Sequence, residues 1–193
     1  MNRFIDVTPS RCIGCRTCEI ACALTHSGAG TNADVAAGDA SQGDVLACLG
    51  SAPRLKVIKT ETACMPVTCH HCDDAPCAAA CPTGAITHTQ NTVQVDQDRC
   101  IGCKSCMIAC PYGMIDVVTT AASRPFAGVR ISTGMKARAQ KCDLCIDRAQ
   151  GPACVSSCPT QALWVANEDG IRDLMQKRQQ EAMQKAVDAE VRA

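Results

Sequence analysis

Large side chains are scarce in this 193-residue sequence, whose aromatic residues are limited to Phe4, Tyr112, Phe126 and Trp164. Aromatics dominate ordinary core packing. Their shortage argues against a purely organic interior, so something else is expected to fill it. Long apolar runs are missing too. No stretch approaches the roughly 18 apolar residues of a transmembrane helix, so no direct membrane insertion is expected. The opening MNRFIDVTPSRC has no apolar run long enough for a signal peptide and no twin-arginine pair. Net charge is zero, from 19 basic and 19 acidic residues. That lacks the basic excess of a dedicated nucleic-acid binder. These absences together predict a cytoplasmic protein without nucleic acid as partner.

Against these absences stands one excess: 18 cysteines. Disulfides need an oxidising compartment. A cysteine-dense chain without an export signal reads instead as metal-binding in a reducing cytoplasm. Sixteen cysteines fall into four quartets. Group one is Cys12, Cys15, Cys18 and Cys22. Group two is Cys69, Cys72, Cys77 and Cys81. Group three is Cys100, Cys103, Cys106 and Cys110. Group four is Cys142, Cys145, Cys154 and Cys158. Proline follows the last cysteine in groups two, three and four, as Pro82, Pro111 and Pro159, whereas Ala23 takes its place in group one. Cys48 and Cys64 are left over, and buried small hydrophobes are the default for such cysteines.

This internal repeat organises the chain. After each proline comes a turn and a short β-branched or aliphatic run: TGAITHT, YGMIDVV and TQALWVAN. NTVQVDQDRC alternates at Val93 and Val95 and leads into group three, so the unit reads strand, cysteine loop, short helix, strand. Residues 27–50 and 119–138, rich in Gly, Ala, Ser, Thr and Asp, read as long loops. Beyond Asn167 the chain turns polar. A partial apolar stripe of Ile171, Leu174, Met175, Met183 and Val187 predicts a C-terminal helix packed outside the rest.

Three thiolates at C-x-x-C-x-x-C spacing can wrap one cubic 4Fe-4S cluster, with Gly14 and Gly102 allowing the tight loop. The fourth cysteine stands one helical turn beyond the third and cannot easily reach the same cube. In two-cluster ferredoxins the corresponding cysteine ligates the other cluster. Each quartet then supplies three ligands to one cluster and one to its partner, making four clusters in two reciprocal pairs. Only 18 residues separate Cys81 from Cys100, against 46 between Cys22 and Cys69 and 31 between Cys110 and Cys142. Groups two and three therefore form one contiguous unit, and groups one and four are left to pair around it.

Structural zinc gives no reason for three cysteines at this spacing plus a fourth before proline. The longer spacings in groups two and four leave open a different cluster or a non-cysteine ligand. His70 and His71 lie inside CHHC, but with four cysteines already present they read as hydrogen-bonding or surface residues. Arg124, Arg130, Lys136, Arg138, Lys141 and Arg148 make the region around group four locally basic. The plain reading is a solvated loop, and the sharper one a docking face for an acidic partner.

The segments MNRFIDVTPSRCIGCRTCEIAC, PRLKVIK, CHHCDDAPCAAACPTGAI, RCIGCKSCMIACPYGMIDVV and KCDLCIDRAQGPACVSSCPTQAL resemble four-cluster ferredoxin-like subunits of the dimethyl sulfoxide reductase and formate hydrogenlyase family. The resemblance covers about residues 1–166; residues 27–50 match nothing in it. It implies an α+β fold of two bacterial-ferredoxin-like units, one inserted in the other, with short strands, short helices, long loops and a C-terminal helix. The split unit would comprise residues 1–66 and 119–166, the inserted unit 67–118, and the helix 167–193. The resemblance also implies four 4Fe-4S clusters. The first would take Cys12, Cys15, Cys18 and Cys158, and the second Cys142, Cys145, Cys154 and Cys22. The third would take Cys69, Cys72, Cys77 and Cys110, and the fourth Cys100, Cys103, Cys106 and Cys81.

The function so implied is electron relay. Partners would be a molybdenum- or tungsten-pterin formate dehydrogenase (a molybdopterin-type catalytic subunit) and a NiFe-hydrogenase or other acceptor. The chain shows no catalytic acid, base or open metal site of its own, so it is expected to be no enzyme by itself. The alternatives are an accessory or maturation protein for formate dehydrogenase and a free polyferredoxin shuttle.

Overall fold

The computed structural model of the protein describes residues 1–26, 52–126 and 129–191. Cys48 and the expected loop at 27–50 lie outside the described residues. Short elements dominate. Strand β1 (Phe4–Val7) leads through a single 3-10 turn (Pro9–Arg11) and the first cysteine loop into helix α1 (Thr17–His26). Strands β2 (Lys56–Lys59) and β3 (Cys64–Val67) form a hairpin before group two and helix α2 (Pro76–Ala79). Strands β4 (Ile86–Thr89) and β5 (Thr92–Val95) form the next hairpin. Its two turn residues, Gln90 and Asn91, have φ of 51° and 57°, the left-handed pair that matches strand twist in a two-residue turn. Helix α3 (Ser105–Ala109) follows, then strands β6 (Asp116–Phe126) and β7 (Val129–Gln140), helix α4 (Ala153–Ser156), strand β8 (Leu163–Ala166) and helix α5 (Glu168–Val191).

Two arrangements close around the cysteines. In one, β1 pairs antiparallel with β8, from Phe4 opposite Ala166 to Val7 opposite Leu163. Helix α1 lies against α4. Ile5, Leu55, Val57, Leu144 and Leu163 pack with Cys18, Cys22 and Cys154 in a shared core. In the other, β4 pairs with β5, α2 lies against α3, and Ala75, Ile86, Val93, Ile115 and Ala139 pack with Cys77 and Cys106. The cores are built from cysteines and medium aliphatics, as the scarcity of aromatics requires.

Proline decides helix length. In groups two, three and four the Cys-Pro pair stops the helix, because proline lacks the N–H and its ring clashes with the preceding turn. Those helices run four or five residues. Group one has Ala23, fully buried, and α1 continues for 10 residues to His26.

Two expectations are corrected. Residues 119–126 and 129–138 are no loop: they belong to strands β6 and β7, paired from Asp116 opposite Gln140 to Phe126 opposite Val129, with a bulge between Ala122 and Ser123. On β7 the large Ile131 and Met135 are exposed while the small Ala139 is buried, so apolar size does not track burial as a period-two pattern would need. The C-terminal helix forms, but it does not pack along its length. Its first turns hold the half-buried Ile171 and Leu174, while Met175, Met183 and Val187 are exposed.

Candidate metal centres

The cysteine loops share a backbone device. In the two CIGC repeats Gly14 and Gly102 have φ of 69° and 68°, and Arg16 and Lys104, two residues on, have φ of 60° and 67°. Alternating left-handed residues curl successive backbone N–H groups toward the loop interior, the geometry that anionic sulfur requires. A Cβ on Gly102 would stand 2.2 Å from the Ala137 Cβ on β7. On Gly14 it would stand 3.0 Å from the Cys64 Sγ.

Three of these loops face concave recesses of about 320–330 Å³ each, mouth included. One is lined by Cys12, Cys15, Cys18 and Cys158. Another is lined by Cys22, Cys142, Cys145 and Cys154. The third is lined by Cys81, Cys100, Cys103 and Cys106. The remaining four cysteines also gather: the Cys72 and Cys77 thiols each lie within electrostatic reach of Cys69 and Cys110. In every set, three thiols come from one quartet and the fourth is the last cysteine of another.

The chemistry of these donors fits a metal centre. Burial pushes the Cys18 thiol up to about 12, Cys77 to about 11 and Cys142 to about 12. Burial likewise raises Cys154. Thiols so placed stay protonated in water unless a cation replaces the proton, and metal binding does so. Converging soft sulfur donors in an apolar recess suit iron–sulfur centres.

The remote cysteines have built-in thiolate support. Burial pushes Cys81 up, but the Thr83 hydroxyl and the N–H groups of Ala85, Thr83 and Ile86 outweigh it and hold this thiol below its ordinary range. Cys158 repeats the pattern: the Thr160 hydroxyl and the N–H groups of Ala162, Leu163 and Thr160 outweigh burial. The CPTGA and CPTQA motifs thus encode equivalent sulfur cradles. Cys22 instead accepts the Arg54 N–H at 3.3 Å, and Cys110 accepts the Met114 N–H at 3.4 Å.

Several functional neighbours escaped sequence reasoning. His26, delivered by the longer α1, points Nδ1 at the Cys22 carbonyl at 2.7 Å and Nε2 at Asp143 Oδ1 at 3.2 Å. Both acceptors require an N–H, so the ring is an imidazolium. Burial disfavours its charge, but Asp143, Cys145 and Cys22 together hold it protonated far above the ordinary histidine range. Asp143 also pairs with Arg54, and His26 and Arg54 hold its carboxyl well below the usual range against burial. His26, Asp143 and Cys145 have ligating atoms within 4.8 Å of one another. With both ring nitrogens donating, this trio reads as a hydrogen-bond network beside the second cysteine set.

The fold holds the two histidines of CHHC differently. His70 stacks between Phe4 and Tyr112, with ring centroids 5.4 and 4.0 Å away. His71 is buried, and its Nδ1 accepts the Val93 N–H at 3.0 Å. Cys64 places its Sγ 3.7 Å from the Cys12 carbonyl, against the first loop. The solvated-loop reading of the basic segment is corrected at Lys141, which is buried. No pattern announces these contacts, because each joins residues that only the fold brings together.

Residues 60–168 match the 4Fe-4S dicluster domain family, and residues 9–28 match the 4Fe-4S binding domain family. The electron transport protein HydN of Escherichia coli is 43% identical over 185 residues, covering 95% of this chain and 99% of HydN. Formate hydrogenlyase subunit 2 of the same organism is 38% identical, over 93% of this chain and 89% of that subunit. The putative oxidoreductase AegA, also from Escherichia coli, is 42% identical over 92% of this chain, which spans only 24% of AegA's length. On the strength of its cysteine loops and these likenesses, the chain belongs to the 4Fe-4S dicluster family of ferredoxin-like electron-transfer proteins.

Proposed function

We propose that the sixteen grouped cysteines hold four 4Fe-4S clusters in two reciprocal pairs, and that the chain relays single electrons along them. The first cluster would be held by Cys12, Cys15, Cys18 and Cys158, and the second by Cys142, Cys145, Cys154 and Cys22. The third would be held by Cys69, Cys72, Cys77 and Cys110, and the fourth by Cys100, Cys103, Cys106 and Cys81. The observation that carries this reading is the exchange of remote cysteines: Cys158 lines the recess of group one, and Cys22 lines the recess of group four. The inserted-unit architecture has parallel support. The β1–β8 pairing joins the two flanks of the chain, while β4–β5 closes the segment between groups two and three.

Each bound cluster supplies one-electron chemistry, and the chain's own residues supply thiolates, N–H donors and shelter from water. Cys15 and Cys103 are the exposed members of the cysteine sets, beside the exposed Ile13 and Ile101. The two CIGC loops are therefore the points of electron entry and exit. No described helix is long and apolar enough to cross a membrane.

Anaerobic reconstitution should yield about sixteen iron and as many acid-labile sulfides per chain, four of each per cluster. Stoichiometric zinc without sulfide would overturn the reading. The likeness to formate hydrogenlyase subunit 2 favours a formate dehydrogenase and a hydrogenase as partners, and the sequence resemblance adds that the former is of molybdopterin type. A tagged chain purified from its host should carry the formate dehydrogenase catalytic subunit at one-to-one stoichiometry. Its absence would favour an accessory protein or a free shuttle.

A further inference from the structure

Lys141 follows β7 directly and opens group four, and it is only 4% exposed. Its ammonium donates to the Val93 carbonyl on β5 and, at 2.9 Å, to the Cys142 carbonyl. It stands 3.5 Å from His71 Nδ1. Among the described residues it has no carboxylate partner. Asp143, the acidic residue nearest in sequence, is engaged by Arg54 and His26. Nor does His71 offset the charge, since its Nδ1 accepts the Val93 N–H and the ring is neutral. A buried ammonium answered only by neutral groups costs several kcal/mol. An anion held at the adjoining cysteine sets would answer it.

The groups around Lys141 say what that is. They come from three elements: Val93 on β5, His71 in the loop of group two, and Cys142 on its own segment. Its ammonium thus lies against the loop of group two, through His71, and against the first cysteine of group four, through the Cys142 carbonyl, while the Val93 it also binds packs with Cys77. Cys69 and Cys142 in turn feel each other, so groups two and four meet at this lysine. A cubane with four thiolates is dianionic when oxidised and gains a further negative charge on reduction.

We propose that the Lys141 ammonium is a shared counter-charge for the two clusters held through Cys77 and Cys142, and that it raises the reduction potential of both. A fixed cation favours the more negative, reduced state of each cluster. It leaves the two outer clusters, held through Cys18 and Cys106, largely unaffected. Lys141 is thus a positioning residue for charge: it touches no iron and acts through the space between two cysteine sets.

This inference rests on the cluster reading, and the test separates the two. Iron and sulfide content would be measured in the wild-type chain and in Lys141→Met and Lys141→Arg. EPR-monitored redox titration of the full chain would follow. Lys141→Met keeps the length and removes the charge. It should lower the midpoints of two of the four clusters, each by about a tenfold change in the oxidised-to-reduced ratio, or about 59 mV for one electron. Lys141→Arg keeps the charge and should hold both midpoints near wild type. Should Lys141→Met fail to assemble, the arginine variant still decides: assembled clusters with two lowered midpoints would overturn the proposal. So would Lys141→Met with all four midpoints unmoved, which leaves a structural tether only. A wild-type chain without iron and sulfide would instead overturn the cluster reading itself.

Discussion

The two cysteine-rich halves of the molecule use the same parts and close them differently. In the half built on groups two and three, β4 and β5 are joined directly by a two-residue turn, so Ile86 and Val93 are brought together locally before Ile115 and Ala139 cover them. In the half built on groups one and four, Phe4 must find Ala166 and Ile5 must find Val165. Closing so long a loop costs more chain entropy and slows folding. The second kind of half carries larger aliphatics, Leu55, Leu144 and Leu163, where the local half carries Ala75, Ala139 and Val93. It also carries the Arg54–Asp143–His26 network. Identical ligand motifs thus sit in frames of unequal locality, and the non-local frame has the heavier core.

The largest effect should come from removing the remote ligands. Cys22→Ser should abolish about one cluster in four and remove the same EPR signal as Cys145→Ser. Loss of the signal that Cys15→Ser removes would break the exchanged arrangement. Cys110→Ser should behave likewise toward the set of Cys69, Cys72 and Cys77, which makes the two halves equivalent in ligand logic.

Next come the cores. Ile5 and Ile86 are both buried strand residues, and truncating either to alanine should cost about 2–5 kcal/mol. The pattern of loss should differ. Ile5→Ala should strip hydrogen-exchange protection from β1 and β8 while β4–β5 stays protected. Equal loss in both strand pairs would mean that the halves do not open separately.

A smaller contrast lies in the twin loops. Gly102→Ala combines a left-handed residue, about 1–2 kcal/mol, with an overlap against β7. Gly14→Ala meets only the movable Cys64 side chain. Under anaerobic heating, the Gly102 variant should lose cluster absorbance at the lower temperature. The reverse order would mean that the β6–β7 ribbon yields more easily than the thiol.

The smallest effect is expected from deleting residues 168–193. Most of α5 is exposed, so removal should leave cluster content intact and cost less stability than either isoleucine truncation, that is, less than about 2 kcal/mol. A large loss would show that the half-buried Ile171 and Leu174 anchor β8.

Much of this molecule was legible before any fold was known. The cysteine spacing marks the loops, the Cys-Pro pairs mark where helices stop, and TGAITHT, NTVQV and TQALWVAN fall on β4, β5 and β8. Hairpin β6–β7 was not legible, because along β7 the large Ile131 and Met135 are exposed while the small Ala139 is buried, so hydrophobic size does not mark the inward positions. The expected boundary between residues 118 and 119 falls inside β6, and Ala139 on β7 packs with the core of groups two and three. The bareness of α5 was equally hidden. An apolar stripe states what a helix could cover, and not whether anything lies beneath it.

What the sequence determined by itself is the cysteine inventory and its repeat, since the spacing of the loops is local covalent geometry and survives in a linear string. What only the tertiary structure decided is the electrostatic setting of those ligands. Burial of Lys141 between two cysteine sets, and delivery of His26 to Asp143 by a helix that Ala23 lets run on, join residues far apart in the chain. Charge acts through space, so its partners cannot be read along the backbone.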